Sequence, residues 1–382
     1  MPYIHVEIEQ AQSPKKPGAP CGDVVAFERT PVATTLVLCD GLGSGIKANL
    51  AATMCASRML EALRGGASLR QAFGNLVKNM IRVRGTDLPY ACFVVTRVLH
   101  DGQATVLTYE MPEPLFVTSS HAALLPQRTR TVENALIGES HLQLAPGDAI
   151  MAFSDGVTQS GLGLSQRLGW RVEGAQQHLT ELLSQRRPLR EMAQAVHDRA
   201  RELWEGVGGD DVTVAMVLAR LGKTLNIFTG PPSSKAHDRP VANRFLMMDG
   251  WKVVAGSTTS EIVADFLGQE LKVEQDATSQ LAPPRYYLDG VDLVTEGAIT
   301  LNQVYNIIDE DPGNLEAETG VTELYRLLHE ADRINFIVGV ARNPAHGDLH
   351  FRQRGILTRS HIVPLLAEKL QELGKLVTVE YV

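Results

Sequence analysis

Four aspartates stand where apolar segments begin or end, each with glycine beside it. Asp40 closes Leu36-Val37-Leu38-Cys39 and is followed by Gly41. Asp155 follows the apolar run 150–153 and Ser154, and precedes Gly156. Asp210, with Asp211 behind it, follows Gly208-Gly209 and opens the run 212–217. Asp23 comes directly after Cys21-Gly22. Strand ends can bring such groups together from distant parts of a chain. Gathered carboxylates repel one another unless a cation neutralises them. Oxygen donors with no His or Cys nearby suit a hard ion, Mg²⁺ or Mn²⁺. The adjacent glycines would let a backbone carbonyl or a substrate oxygen come close. A single Asp-Gly is an ordinary turn signal; the repetition of one design is what points to a site.

The segments that would position these groups are short and β-like in the first half. Residues 35–38, 91–99, 104–109, 115–117, 149–153 and 212–219 are rich in Val, Leu, Phe and Thr and bounded by turn residues. Their short connections suit antiparallel pairing. Helical patterns occupy 46–63, stopped by Gly65-Gly66, and 68–83, with Ser68 as N-cap. Two more are expected over 176–185 and 189–204. Meanders with inserted helices imply helices packed on antiparallel sheets.

The chain has 382 residues, more than one core usually supports, so two domains are expected. Hydrophobic residues are 44% and charged residues 21%, an ordinary globular composition. The net charge of −8 argues against nucleic acid as the main partner. There is no apolar run of membrane-spanning length and no signal-peptide pattern at the start, so a cytoplasmic location is the expectation. The four cysteines, Cys21, Cys39, Cys55 and Cys92, form no CxxC pair and read as buried thiols.

The order of the motifs and their surrounding residues resemble the metal-dependent type 2C protein phosphatases, in the SpoIIE-like bacterial branch. The resemblance covers about residues 15–220. It is carried by Gly22-Asp23, Asp40-Gly41-Leu42-Gly43-Ser44-Gly45, Pro146-Gly147-Asp148, Ser154-Asp155-Gly156-Val157 and Asp210-Asp211-Val212-Thr213-Val214. The stretch 111–117 (MPEPLFV) is also similar. The resemblance implies an antiparallel β-sandwich flanked by helices, within an α+β class. It implies a site in which Asp40 bridges two divalent ions, Mn²⁺ or Mg²⁺, and the Gly41 carbonyl faces one of them. Asp155 and Asp210 would hold the first ion, and Asp23 would serve the second. Such a pair can supply a nucleophilic hydroxide and shield phosphate charge. Hydrolysis of phosphoserine or phosphothreonine would then need no covalent enzyme intermediate. Asp40, Asp155 and Asp210 are the expected catalytic residues.

Some positions depart from the wider family. Leu42 stands where many relatives outside the branch carry a His that protonates the leaving oxygen, so no general acid is assigned and water could serve. Arg29 and Lys47 are candidates for a phosphate-binding cation, weighed against simple surface charge. Asp211 is expected to bond to the ligands without binding metal itself, and Asp148 to shape a turn. The helices over 46–63 and 68–83 occupy the place of a regulatory switch in this branch. The alternative is that they only cover the sheet. Ala48, Ala51, Ala52, Ala56 and Ser57 would permit close sliding contacts.

The character changes after Arg220. Residues 229–240 read as a polar connection. Strands over 251–255, 333–340 and 376–381 alternate with helices over 259–267, 300–308, 321–329 and 360–373, which gives a separate α/β domain. The domains are expected at 1–221 and 222–382. The helix start at Ser257-Thr258-Thr259 could bind an anion, or could merely be N-capped by Ser257 or Thr258. Segment 343–350 (NPAHGDLH) reads as a polar loop. The tail weakly resembles that of phosphatases accompanying iron-hydrogenase systems, which assigns no site.

The reading is a bacterial serine/threonine phosphatase acting on a phosphorylated signalling protein, of the anti-sigma antagonist type in this branch. The alternative is a non-catalytic phosphoprotein binder or small-ligand sensor in which the C-terminal domain is the main unit. A homodimer, and a small-molecule or anionic ligand on residues 222–382, stay open.

Overall fold

The computed structural model describes residues 3–206, 209–273, 286–311, 319–341 and 356–382. Gly208 and the segment 343–350 lie outside the described residues. The chain divides into two compact units, Tyr3–Leu221 and Gly222–Val382.

In the first unit the elements run β1 (Ile4–Ser13), β2 (Asp23–Arg29), β3 (Ala33–Gly41), α1 (Ile46–Arg64), α2 (Leu69–Val83), β4 (Ala91–Leu99) and β5 (Gln103–Tyr109). They continue with β6 (Leu115–Val117), β7 (Ala122–Leu124), β8 (Arg128–Val132), β9 (Ala135–Gln143) and β10 (Ala149–Phe153). The unit closes with α3 (Asp155–Thr158), α4 (Arg171–Ser184), α5 (Met192–Leu203) and β11 (Val212–Leu221). One sheet has the order β1-β11-β10-β6-β7 and the other β2-β3-β4-β5-β9-β8. Every pairing in both sheets is antiparallel.

Side-chain alternation explains the layers. Leu36 and Leu38 of β3 pack with Val94, Ile150 and Ala215 between the sheets. Their neighbours Val37 and Cys39 face the other way, into a cluster with Met59 of α1 and Phe73 of α2. On the far side, Met151, Phe153 and Val214 pack against α4 and α5. The result is an α-β-β-α sandwich, the expected helix-flanked antiparallel architecture.

Five strands of this unit lie outside the sequence expectation: β1, β2, β7, β8 and β9. In β1 the alternation Ile4-His5-Val6-Glu7-Ile8-Glu9 is regular, and the strand pairs with β11 along its whole length, from Ile4↔Leu221 to Ser13↔Val212. The charged residues mask it in a search for apolar runs. Strand β9 is broken by Glu139, which is 3% exposed. Arg130 Nη1 and Arg70 Nε each donate to this carboxylate at 2.8 Å, and His141 Nε2 lies 2.7 Å away. Burial would raise the Glu139 carboxyl, but the hydrogen bonds from Arg130, Arg70 and His141 outweigh it and hold it at about 2. This cluster pins α2 to β8 and β9. A carboxyl held low stabilises the fold above its unfolded value, and that contribution is lost as pH falls toward the folded one. Glu139→Gln is therefore expected to cost about 1–2 kcal/mol at pH 7, because its two arginines can return to water. Urea unfolding should show the deficit shrinking below pH 4.

The second unit contains β12 (Thr224–Thr229), α6 (Asp238–Leu246), β13 (Trp251–Ala255), α7 (Ser257–Leu267), β14 (Lys272–Val273) and β15 (Tyr286–Tyr287). Next come β16 (Leu293–Thr295), α8 (Gly297–Ile307), α9 (Gly320–Glu330), β17 (Arg333–Val338), α10 (Arg359–Glu372) and β18 (Leu376–Tyr381). The sheet order is β14-β15-β16-β13-β12-β17-β18. The five strands from β16 to β18 are parallel, and the β14–β15 pair is antiparallel at one edge. Helices α6 and α7 cover one face, and α8, α9 and α10 cover the other. This is a doubly wound α/β sheet.

Two expectations need correction here. The stretch 229–240 is not a simple connection: it holds the end of the central strand β12, a 3₁₀ turn at Lys235–His237 and the start of α6. Asn226 disguises β12, since its amide is consumed by the Asp249 and Trp251 carbonyls and by Asn335. The second correction is at α7, where Gly256, at φ 126°, is the N-cap in place of Ser257 or Thr258.

Candidate metal centre

The antiparallel register of β2 and β3 sets Asp23 directly opposite Asp40. Strand β3 must end there because Gly41 lies under α1: a Cβ on Gly41 would sit 2.0 Å from the Ala48 carbonyl oxygen. Asn49 Nδ2 donates to the Cys21 carbonyl at 2.8 Å, fixing the same turn of α1 over the 21–23 segment. Ala48, Ala51, Ala52 and Ala56 are all buried in this contact face, whereas Ser57 is exposed. The small residues thus serve close approach of helix to sheet.

Asp155 begins α3 immediately after β10, and Asp210 and Asp211 precede β11. The β10–β11 pairing brings these ends together. Ser154 locks the join: its N–H donates to the Thr213 carbonyl, and its hydroxyl accepts from the Thr213 N–H at 3.1 Å. A Cβ on Gly156 would lie 2.0 Å from the Asp211 carbonyl oxygen, so α3 can approach β11 only with glycine there. Gln159 Nε2 donates to Asp155 Oδ2 at 2.7 Å and orients it.

The four aspartates act on one another electrostatically. Burial, then Asp23, Asp155 and Asp210, push the Asp40 carboxyl up to about 9. The Asp155 backbone N–H, which donates to Asp40, opposes this. Burial raises Asp23 to about 7, against hydrogen bonds from Thr213 and Ser154. Burial and the Asp210 charge raise Asp155. Asp23 Oδ2 is buried with no hydrogen-bond partner. Among the described residues no three His, Cys, Asp or Glu side chains form a compact ligand cage. The aspartates are therefore electrostatically coupled neighbours, short of positive charge, without forming a closed cage. That shortage, the orphaned Asp23 oxygen and the all-oxygen donor set fit hard divalent cations.

The remaining sequence candidates divide. Asp211, 6% exposed, accepts the Lys15 backbone N–H at 2.8 Å and supports the loop beside the site. Asp148 closes a turn by accepting the Ala145 N–H. Leu42 is 72% exposed beside the cluster. Lys47 is exposed on the first turn of α1. Arg29 lies at the opposite end of β2 from Asp23, bonded to the Val6 carbonyl, so it does not reach the carboxylates. All four cysteines are free; Cys39 and Cys55 are buried, Cys21 and Cys92 half-buried. Burial pushes the Cys21 thiol up to about 12, which keeps it protonated.

Sequence reasoning missed Lys15. Its Nζ lies 3.8 Å from Asp210 Oδ1. It also lines a groove of about 780 Å³ together with His197, Arg201, Trp204 and Asp210. The signal, Lys15-Lys16 eight residues before Asp23, has no meaning until the chain folds.

Residues 31–220 match the family model of Stage II sporulation protein E (SpoIIE). No curated protein matches the sequence. Similar solved structures include the PP2C phosphatase domain, with a fragment of the regulatory domain, of SpoIIE from Bacillus subtilis. Its identity is 17% and its TM-score 0.48, with 57% of this chain and 65% of that chain covered. The match thus spans less than two thirds of that protein's chain. Another is the structure of RsbU and RsbW domains from Mycobacterium tuberculosis, at 17% identity and TM-score 0.47, covering 69% of this chain and 70% of that one. The SiaA PP2C domain of Pseudomonas aeruginosa matches at 15% identity and TM-score 0.43, covering 55% and 84%. The SpoIIE family match thus takes in most of the first unit and none of the second.

Proposed function

We propose that the first unit is a metal-dependent phosphatase that hydrolyses phosphoserine or phosphothreonine on a signalling protein. The observation that carries this reading is the acidic cluster itself. Carboxylates from four chain segments act on one another, Asp23 buried and Asp40, Asp155 and Asp210 half-buried, with Asp40 pushed to about 9 and Asp23 to about 7. The SpoIIE family match over residues 31–220 supports the same activity. Asp23, Asp40, Asp155 and Asp210, with the Gly41 carbonyl, would hold two divalent ions, Mn²⁺ or Mg²⁺. Bound there, such ions supply charge neutralisation and acidify water.

The chain's own residues do the positioning. Asp40 responds to all three other aspartates and is the centre of the set. Gln159 holds Asp155, and Ser154 and Thr213 hold Asp23. Lys15 and Arg201 line the adjacent groove among Asp198, Glu202 and Asp210, and are the two cations there that could meet a phosphoryl group. No side chain is assigned as general acid, so the leaving oxygen takes its proton from water. A small phosphoprotein of the anti-sigma antagonist type is the substrate class this family favours.

Raised carboxyls are protonated in the metal-free chain near neutral pH, so a cation must displace protons to bind. Calorimetry with Mn²⁺ at pH 7 should therefore give heats that vary with the buffer's ionisation enthalpy. Affinity should climb as pH rises from 6 toward 9. Binding without proton release, or no binding, would remove the support that the electrostatics give.

A further inference from the structure

We propose that the carboxyl edge of the second unit's sheet, beside β12 and β17, binds the phosphate group of a small anionic ligand, with Arg359 as its counter-charge. Numbered within the unit, the five parallel strands β12, β13, β16, β17 and β18 lie in the order 3-2-1-4-5. Strand β12 leads to α6 on one face, while α10, which follows β17, lies on the other. Adjacent strands served from opposite faces leave a crevice at their carboxyl ends, the usual ligand position in such sheets.

Three independent features of this edge suit an oxyanion. The first is Arg359. A Cβ on Gly230, the residue after β12, would lie 1.7 Å from Arg359 Nη1, so the guanidinium rests on bare backbone. Gly230 has φ 85°, which glycine alone adopts readily. Arg359 Nη2 donates to the Ala341 carbonyl at 3.2 Å. Burial lowers the Arg359 pKa with no carboxylate acting against it. A half-buried guanidinium with no carboxylate partner among the described residues carries a charge that they do not compensate.

The second feature is a pair of buried hydroxyls. Thr295, at the end of β16, and Thr300, in α8, are each 1% exposed, and neither Oγ1 has a hydrogen-bond partner among the described residues. Thr229, Ala255 and Thr295 are register partners across the sheet end. Leu293 packs among the residues of α8 and α10, so alternation places Thr295 on the face those helices cover. Asn302 of α8 bonds the Leu357 backbone in both directions, at 2.9 and 3.0 Å, tying α8 to the start of α10.

The third feature is the helix starts. Helices α7, α8 and α10 all begin at this edge, and none has a side-chain N-cap bond. Their first-turn N–H groups and dipoles favour negative charge. Gly256 and Gly297 pack together, a Cβ on Gly297 lying 3.1 Å from the Gly256 Cα. Thr259 is not free to cap, because its hydroxyl accepts the Gly230 N–H at 2.8 Å. Many donors with one fixed cation match the several oxygens of a phosphate group. Free phosphate and an organic phosphate share this chemistry.

The test uses the full chain held metal-free with chelator, which keeps phosphate away from the aspartates of the first unit. The backbone amides of Gly230, Gly256 and Gly339 are followed by NMR at constant ionic strength. One titration uses inorganic phosphate and a parallel one adenosine 5′-monophosphate. Saturable shifts of these amides are expected, with a dissociation constant of about 1 mM or less for at least one probe. Equal affinity would mark the free ion as the ligand, and tighter nucleotide binding an organic phosphate. Arg359→Met should weaken binding by about tenfold or more, and Arg359→Lys, which keeps the charge but loses the fork, by less. The proposal is overturned if neither probe shifts these amides by about 20 mM, a concentration far above the expected constant. It is equally overturned if a folded Arg359→Met binds as the parent does. If Arg359→Met does not fold, unchanged affinity in Arg359→Lys overturns it.

Discussion

Asp40→Asn is expected to abolish turnover and yet stabilise the metal-free protein. The two effects share one cause. Asp40 is raised from 3.8 to about 9 by burial and by three neighbouring carboxylates. An aspartate so raised is ionised more readily in the unfolded chain than in the folded one. The folded state therefore loses stability as pH rises from about 4 toward 9. Asparagine has the same shape and no such penalty. Without metal, the variant should be more stable at pH 7 by an amount on the order of 2 kcal/mol. With Mn²⁺ present the order should reverse, since the parent gains binding energy that the variant has lost. Phosphatase activity should fall by roughly 10²–10³-fold. Thermal melts with and without Mn²⁺ separate this from simple unfolding. A variant less stable than the parent in chelator would contradict the electrostatic account.

Gly156→Val should disable the site without touching a proposed ligand. The Gly156 Cβ position lies 2.0 Å from the Asp211 carbonyl oxygen and 3.4 Å from Asp210 Cβ. The obstructing atom is backbone of the residue leading into β11, so it cannot rotate aside. A side chain there must push α3 away from β11 and separate Asp155 from Asp210. Overpacking of this kind costs about 1–3 kcal/mol. Mn²⁺ affinity and activity should both fall by at least about tenfold, which a 1 Å displacement can produce. Gly43→Ala is the useful control, because a Cβ there meets nothing within 4 Å. Its positive φ of 115° will cost stability but should leave Asp155 and Asp210 together.

Much of the first unit is legible in the sequence because its central strands are apolar on both faces. Both sides of β3, β4 and β10 are covered, one by the opposing sheet and one by helices, so they read as continuous runs. Strands with one polar or ion-paired position, such as β1, β9 and β12, do not stand out. Strands β1 and β12 also take partners more than a hundred residues away, as in Glu7 with Arg220 and Asn226 with Asn335. The aspartates were visible as chemistry because each interrupts an apolar run beside a glycine. What set their environment was not visible: the Asp23–Asp40 register, the Ser154–Thr213 lock and the α1 turn laid on Gly41. Lys15 and Arg359 were missed for the same reason. A cation's role depends on what lies across from it, and neither has its partner nearby in sequence.

The helices α1 and α2 now have a concrete part in this account. Ala48 touches the site through Gly41 and Gly22, and Asn49 holds the 21–23 segment. Glu139 fastens α2 to the sheet through Arg70. These contacts make α1 a close cover over the Asp23 and Asp40 strand ends, while Arg70 and Glu139 hold α2 at β9.

The most direct measurement is release of inorganic phosphate from a phosphoserine peptide by the intact chain, in Mn²⁺ and in chelator. Release that requires Mn²⁺, rises between pH 6 and 9, and is absent in folded Asp40→Asn is the result expected. A folded chain that calorimetry shows to be loaded with Mn²⁺, yet releases no phosphate, would contradict the claim that this aspartate cluster is a phosphatase site.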